Sequence, residues 1–456
     1  MKRSAKWISA CTCICALFVA VAQVEAKVSA EEAKKLEDGT LMPMGGEMKG
    51  NEEGTIPPWE GGITEIPEGY KKGEYVNPFP DDKILFTITA ANVAEYADKL
   101  SPGQIAIFKR YPNTYKMNVY PTRRSASYPQ RIYDWAKKNA TTAELVEGGN
   151  GFRNARESIP FPMPKEGIEA VWNHLTRYRN DTIYRVYAVI APTTGGAYTV
   201  VSIEEKIFFP YSVGGATAES VNNVLIYFLS NTLSPPRMAG GLLLVHETMD
   251  QVKEPRRAWT YNPGQRRVRR APNVAYDLPD GPSDGQRTAD MLDMFNGAPD
   301  RYDWSLVGKK EMFVPYNCYQ VADRGYKYKD IIRPGHANTD LLRYELHRVW
   351  QVEAKLKKGT KHIYGKRTFF HDEDTWTILI ADLYDTRGDL WRVSEDHSIN
   401  YYDIPMTATV VEFHIDLQNG RYLALGLTNE GTPWSFDREY PLDLFTPAAL
   451  RRAGRR

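Results

Sequence analysis

Six strand-like segments follow one another in the last third of the chain, at 341–357, 361–370, 375–384, 389–395, 406–417 and 421–427. The joins between them are short and polar: Lys358-Gly359-Thr360, His371-Asp372-Glu373-Asp374, Asp385-Thr386-Arg387-Gly388 and Gln418-Asn419-Gly420. Asn-Gly is a strong short hairpin signal, and strands joined this closely pair antiparallel. In 375–382, Trp376, Ile378 and Ile380 share one face, and Thr377, Leu379 and Ala381 the other. In 407–415, Val411, Phe413 and Ile415 oppose Glu412 and His414. In 421–427, Leu423, Leu425 and Leu427 oppose Tyr422, Ala424 and Gly426. One apolar and one mixed face predict a curved antiparallel sheet covering a core. Such a sheet must close into a barrel, stack on a second sheet, or be filled by helices.

More strands precede this meander. Segments 182–190 and 197–209 flank Pro192-Thr193-Thr194-Gly195-Gly196, and 223–233 pairs with 242–248. A third hairpin joins 258–261 to 266–270 through Asn262-Pro263-Gly264-Gln265, with Pro and Gly where a type II turn wants them. Helices are expected after Asn92 (Val93, Tyr96, Leu100), around Ile132 and Trp135, and over 166–179, where Ile168, Val171, Trp172, Leu175 and Tyr178 recur at helical spacing. The expected class is therefore α+β: a large curved antiparallel sheet, an incomplete barrel, with helices packed on its concave face. The chain divides into 1–26, an extended N-terminal arm at 27–80 rich in Gly, Pro and Glu, a helical segment at 81–180 packing on the sheet, and the sheet domain at 181–456. A helix is expected to be inserted near 284–295, capped by Ser283 or Asp284.

Residues 1–26 read as a secretory signal peptide. Lys2, Arg3 and Lys6 precede an apolar run, and Val24-Glu25-Ala26 supplies small residues for cleavage near Ala26. Export out of the cytosol removes nucleic acid and nucleotide cofactors from consideration. The balanced charge, 58 Lys and Arg against 57 Asp and Glu, gives no global field for a polyanion. Three of the 4 cysteines lie in the leader, which leaves Cys318 as a small buried residue.

Chemistry-bearing patterns are sparse. His371-Asp372-Glu373-Asp374 lacks the spacing of a calcium loop or a zinc site and reads as a solvated turn. The eight histidines are scattered. No nucleophile elbow, Walker loop or dinucleotide-binding glycine pattern occurs. No catalytic residue, metal or cofactor is expected. The local charge anomaly is the hairpin with Arg256-Arg257, then the four arginines Arg266, Arg267, Arg269 and Arg270, around Trp259 and Tyr261. It reads either as a solvated face pairing with acidic neighbours or as a docking surface for anionic headgroups or an acidic protein. Trp350, Trp376 and Trp391 either line a hydrophobic cavity or pack as core.

Trp259-x-Tyr261-x-Pro263-x-x-Arg266-x-Val268-Arg269 resembles a hairpin of outer-membrane lipoprotein-sorting proteins with a LolA/LolB-like fold. Trp172-Asn173-His174-Leu175-x-Arg177-Tyr178-Arg179, Arg348-Val349-Trp350-x-Val352-Glu353-Ala354, His371-Asp372-Glu373-Asp374-Thr375-Trp376 and Leu390-Trp391-Arg392-Val393 resemble the domain-of-unknown-function family numbered thirteen twenty-nine. The resemblance runs from about Leu41 to the C-terminus. It implies a half-barrel whose apolar concave face accepts acyl chains or a similar hydrophobe. Trp259, Tyr261, Trp350, Trp376 and Trp391 are the candidate ligand contacts, and the four arginines the candidate partner or headgroup contacts. The resemblance also implies an inner-membrane exporter of resistance-nodulation-division (RND/MMPL) type and an outer-membrane protein as partners, with the chain itself peripheral at the outer membrane. The chain is more than twice as long as a lipoprotein carrier, so its own arm is a competitor for the pocket.

Overall fold

The computed structural model describes residues 28–271, 274 and 276–454. The expected leader and its cleavage point lie outside the described residues. Two short strands open the fold, β1 (Phe86–Ile88) and β2 (Met117–Val119), followed by a two-residue ribbon of β3 (Glu144–Leu145) and β4 (Phe152–Arg153). Next come β5 (Thr182–Ile190), β6 (Val200–Phe208), β7 (Val224–Ser234), β8 (Leu242–Thr248), β9 (Arg257–Asn262) and β10 (Arg267–Arg270). The last third holds β11 (Tyr302–Pro315), β12 (Tyr344–Leu356), β13 (Tyr364–Asp372), β14 (Ile378–Asp385), β15 (Leu390–Asn400), β16 (Thr407–Asp416) and β17 (Tyr422–Ser435).

Fifteen of these strands form one sheet. Its main path is β11–β12–β13–β14–β15–β16–β17–β5–β6–β7–β8–β9–β10, antiparallel throughout. β2 adds to β12 in parallel at Tyr344↔Val119, and β1 pairs with β2. β10 and β11 do not pair with each other, so the sheet is an open half-barrel with helices, as the strand pattern predicts.

Residues paired across strands share a face. The register therefore carries one face from Glu412 to Leu425, Val189 and Val201. This is the concave face. Against its β11–β12 end lies the helix Gly167–Thr176, buried along its whole length. A Cβ on Gly167 would stand 2.7 Å from the Ser305 backbone, so glycine lets this helix sit directly on β11. The cross-strand strap 274–296 covers the rest.

The outer face is covered as well, which the sequence reading did not anticipate. The helix Pro102–Arg110, with Ser101 and Gln104 forming its capping box, lies over β14 and β15. The Asp382 carboxylate accepts the Ser101 hydroxyl and the Gly103 N–H, both at 2.9 Å, and burial pushes its pKa up to about 6. Val411, Phe413 and Ile415 thus pack outward under a second layer, while Glu412 and His414 point into the concavity. The sheet is buried on both sides at its centre, not one-sided.

The arm is part of the core. Met42, Met44 and Ile56 are buried, and the Trp376 indole N–H donates to the Met44 carbonyl at 2.8 Å. The expected solvated turn His371-Asp372-Glu373-Asp374 is buried beneath it. Its charges are met by Arg124, which donates to Asp374 at 2.9 and 2.5 Å, and by Arg348, which donates to Glu373 at 2.6 Å. Two further expectations fail for backbone reasons. No α-helix forms at 284–295: Asp284, Asp293 and Met294 take positive φ, leaving the single 3-10 turn Ala289–Met291. In the 262–266 loop it is Arg266 (φ 50°), not Gly264, that turns left-handed.

Gly45 (φ +94°) lies where a Cβ would stand 1.8 Å from the Pro162 carbonyl oxygen, whereas Gly39 (φ +84°) faces open space. Gly45→Ala should cost ~2–5 kcal/mol, as strain and overpacking add, against ~1 kcal/mol for Gly39→Ala. Thermal melts and proteolysis of the arm should separate the two; equal effects would mean the arm does not clamp here.

Candidate ligand cavity

Alternation along five strands builds the walls. β5 turns Ile183, Arg185 and Tyr187 inward, and β6 turns Ile203, Glu205 and Ile207. The pairs Ile183↔Ile207, Tyr187↔Ile203, Ile207↔Phe228 and Phe228↔Val245 continue this apolar face across β7 and β8. Leu278 and Leu292 of the strap form the roof. Together they enclose about 400 Å³, within the ~300–1,000 Å³ of small-molecule sites. The cavity reaches Thr232, Gly241, Thr260 and Asn262, beside the β7–β8 and β9–β10 turns.

Its floor is ionic. Asp293 sits at φ 54° on the strap and accepts from Arg177 at 3.0 and 2.5 Å and from Arg179. The Asp293 and Met294 N–H groups donate to Glu412 at 3.1 and 3.2 Å, pinning strap to sheet. Burial opposes ionisation of Asp293, yet the two guanidiniums outweigh it and hold its pKa well below the carboxylate range. Burial also pulls Arg179 down to about 10, with Asp293 only partly offsetting it. Around this centre Arg185 donates to Glu205 at 2.7 Å, Arg256 to Glu247 at 2.7 Å and Arg287 to Asp280 at 3.0 Å. The Nε of Arg177, the Nε of Arg179 and the Nη1 of Arg287 are buried without an acceptor. Apolar walls over a guanidinium-rich floor suit an amphiphile: a hydrocarbon body with a polar or acidic end.

The residues singled out from sequence are placed as follows. Trp259 and Tyr261 pack on the outer face with Phe445 and Leu450 near the C-terminal helix Pro447–Ala453. Tyr261 also borders the cavity, but its hydroxyl donates to the Gly454 carbonyl at 2.5 Å. Trp350 and Trp376 stack at 6.3 Å, near the arm. Trp391 donates to Asp416 at 3.0 Å. None of these three lines the cavity. Arg266, Arg267, Arg269 and Arg270 are exposed and, among the described residues, none is ion-paired. Arg256 and Arg257, at the start of the hairpin, do pair with acidic neighbours, Glu247 and Glu254, whereas the four arginines at its far end do not. Of the cavity's own residues, Arg177 and Arg179 stand out in the sequence only as part of a family motif, and Ile203, Phe228 and Asp293 belong to no motif. The sequence signal for the walls is alternation within β5–β8, which marks a face but not a void.

Among the described residues one group of metal-ligating type is present: His347, Asp372 and Asp374 offer ligand atoms within 4.8 Å of one another, all buried. Asp374 is already held by Arg124, and Asp372 accepts from Tyr316 at 3.1 Å and Thr375 at 2.7 Å. Cys318 is buried, and burial pushes its thiol pKa well up, away from nucleophile chemistry.

Fold and site together define an open antiparallel half-barrel enclosing an apolar cavity with an ionic floor. The chain belongs to the family described as protein of unknown function (DUF1329), matched over residues 87–451. An uncharacterized protein of Pseudomonas aeruginosa, PA3922, is 51% identical over 446 residues, 97% of this chain and 98% of that protein. A putative outer membrane lipoprotein-sorting protein domain from Vibrio parahaemolyticus is 14% identical, covering 63% of this chain and 98% of its own, with a TM-score of 0.43. A DUF1329 family protein from Desulfovibrio piger gives 16% identity, 60% and 92% coverage, and 0.40. The LolA superfamily protein NE2245 from Nitrosomonas europaea gives 12%, 60% and 93%, and 0.35.

Asp396 lies on the cavity face beside Glu412 and accepts Ser398 and Thr409 hydroxyls at 2.5 and 2.6 Å. Burial, then the Glu412 charge, raises its pKa from 3.8 to about 8. A raised folded pKa contributes stability that is present below about pH 4 and lost as pH rises toward 8, by up to ~1.4 kcal/mol per pH unit. Asp396→Asn should flatten that slope, raising the melting temperature at pH 8 while leaving it near wild type at pH 4. Parallel melting curves for the two proteins would contradict this.

Proposed function

We propose that this protein is a periplasmic carrier that holds a hydrophobic, lipid-like molecule in the concave cavity. The observation that carries the reading is the apolar-walled space of about 400 Å³ left between β5–β9 and the strap. The N-terminal arm, which length alone made a competitor for that space, contributes none of the residues that line it. The leader-like residues 1–26 support export, and the family resemblance supports an RND/MMPL-type exporter and an outer-membrane protein as partners.

The energies suit transport better than storage. Burying a sixteen-carbon chain contributes roughly 10 kcal/mol gross at ~0.8 kcal/mol per CH₂, against ~4–15 kcal/mol for association. Binding is then useful but reversible, and no catalytic group is needed. A second reading, an envelope adaptor whose basic hairpin docks a protein, is favoured by the four unpaired arginines. Crosslinking through Arg266 or Arg269 would then capture one dominant protein.

Native mass spectrometry of protein purified from producing cells should show a co-purifying hydrophobe, and a fluorescent fatty acid should bind. Ile203→Trp, which fills the cavity from β6, should weaken that probe at least tenfold. Unchanged binding in the variant, or no binding by wild type, would remove the carrier reading.

A further inference from the structure

The cavity reaches the end of the sheet, at Thr260 and Asn262 of β9, and that end is basic. β10 is an edge strand, paired only with β9, and its register sets Arg267 opposite Asn262 and Arg269 opposite Thr260. Asn262 and Thr260 line the cavity, so Arg267 and Arg269 stand on the same concave face at its rim. The C-terminal helix packs against β10 and carries Arg451 and Arg452, exposed and unpaired among the described residues. Leu278, which lines the same cavity as Thr260 and Asn262, is 43% exposed. Unpaired guanidiniums at the rim of an apolar cavity with an exposed leucine in its roof form a surface with two demands: negative charge at its plane and hydrocarbon just behind it. An acidic protein meets the first alone. A leaflet of anionic phospholipid meets both.

We propose that the β10 edge and the end of the C-terminal helix dock on an anionic bilayer, with the cavity mouth facing the leaflet so that ligand passes between membrane and cavity. Docking stands on the arginine and leucine surface alone; the exchange step rests on the carrier reading above. Arginine is the suitable residue here, because its fork binds phosphate oxygens bidentately and keeps its charge at any physiological pH.

Vesicle co-sedimentation with the full chain tests docking without any ligand. Phosphatidylcholine vesicles and vesicles containing about 30% phosphatidylglycerol should differ at least tenfold in bound protein. The difference should shrink as salt rises from about 50 to 300 mM, where the Debye length shortens. Replacing Arg266, Arg267, Arg269 and Arg270 by Gln should lower anionic-vesicle binding at least tenfold, given a gain of about fivefold per basic residue near such a surface. All four are exposed, so the folded state should survive, as unchanged melting would confirm. Ile203→Trp should lose the fatty-acid probe yet keep vesicle binding, which separates failure of docking from failure of the carrier reading. Transfer of the fluorescent fatty acid from loaded protein to anionic vesicles should slow in the quadruple Gln variant, with its equilibrium binding to protein unchanged. Equal binding to neutral and anionic vesicles, or no effect of the Gln replacements, would overturn the proposal. Capture of an acidic protein without vesicle binding would overturn it equally.

Discussion

The fold depends on buried guanidinium–carboxylate contacts that tie the strap to the sheet and to the segment leading from the helix Gly167–Thr176 into β5. Arg177 and Arg179 hold Asp293, and Arg367 holds Asp290 at 2.5 Å, with Arg367 fully buried. Neither carboxylate would stay ionised in that interior alone. Burial raises both, and the arginines reverse the direction. Removing one partner of such a pair costs ~3–5 kcal/mol because it strands a charge. The strap has no long helix to order it, so these contacts and the Phe295 ring packed on Trp304 and Phe369 fix its path. The roof of the cavity follows from them.

That arrangement also accounts for where the void lies. The β11–β14 end of the concavity is filled by the helix Gly167–Thr176 and by Phe295, Trp304 and Phe369. Among the described residues, the β5–β9 end receives no α-helix on its inner face, only the 3-10 turn Gly281–Ser283 beside β5. Its strands present Ile and Phe to a strap that spans the gap without dropping into it. The apolar-walled space of about 400 Å³ therefore lies at the β5–β9 end.

Much of the architecture was legible before any coordinates. Strands β12, β13, β14 and β16 match the alternating runs within three residues at each end because their faces alternate cleanly, whereas β15 and β17 run on to Asn400 and Ser435, five and eight residues past the expected ends. β11 escaped because Gly308 (φ +143°) shifts its register after Leu306 and breaks the period of two. The strap read as a helix because Ala289, Met291 and Leu292 are spaced like one, while the left-handed turns at Asp284, Asp293 and Met294 leave no mark that a period count can see. His371-Asp372-Glu373-Asp374 read as a surface turn for a related reason: composition reports charge, and the arginines that neutralise it sit as far away as Arg124. The aromatic residues drew attention as ligand contacts, but size favours core burial first. The residues that line the cavity are ordinary isoleucines, distinguished only by what is missing opposite them.

A sheet that stops short of closure leaves two bare strand edges, and each is a template on which another chain can add itself. β10 meets that hazard with three arginines in a strand of four residues, Arg267–Arg270. β11 carries Lys309, Lys310 and Glu311 in its middle. Two copies brought edge to edge at β10 would have to stack like charges at ladder spacing. The charged border therefore discourages fibril-like growth of a protein that, by remaining open, would otherwise invite it.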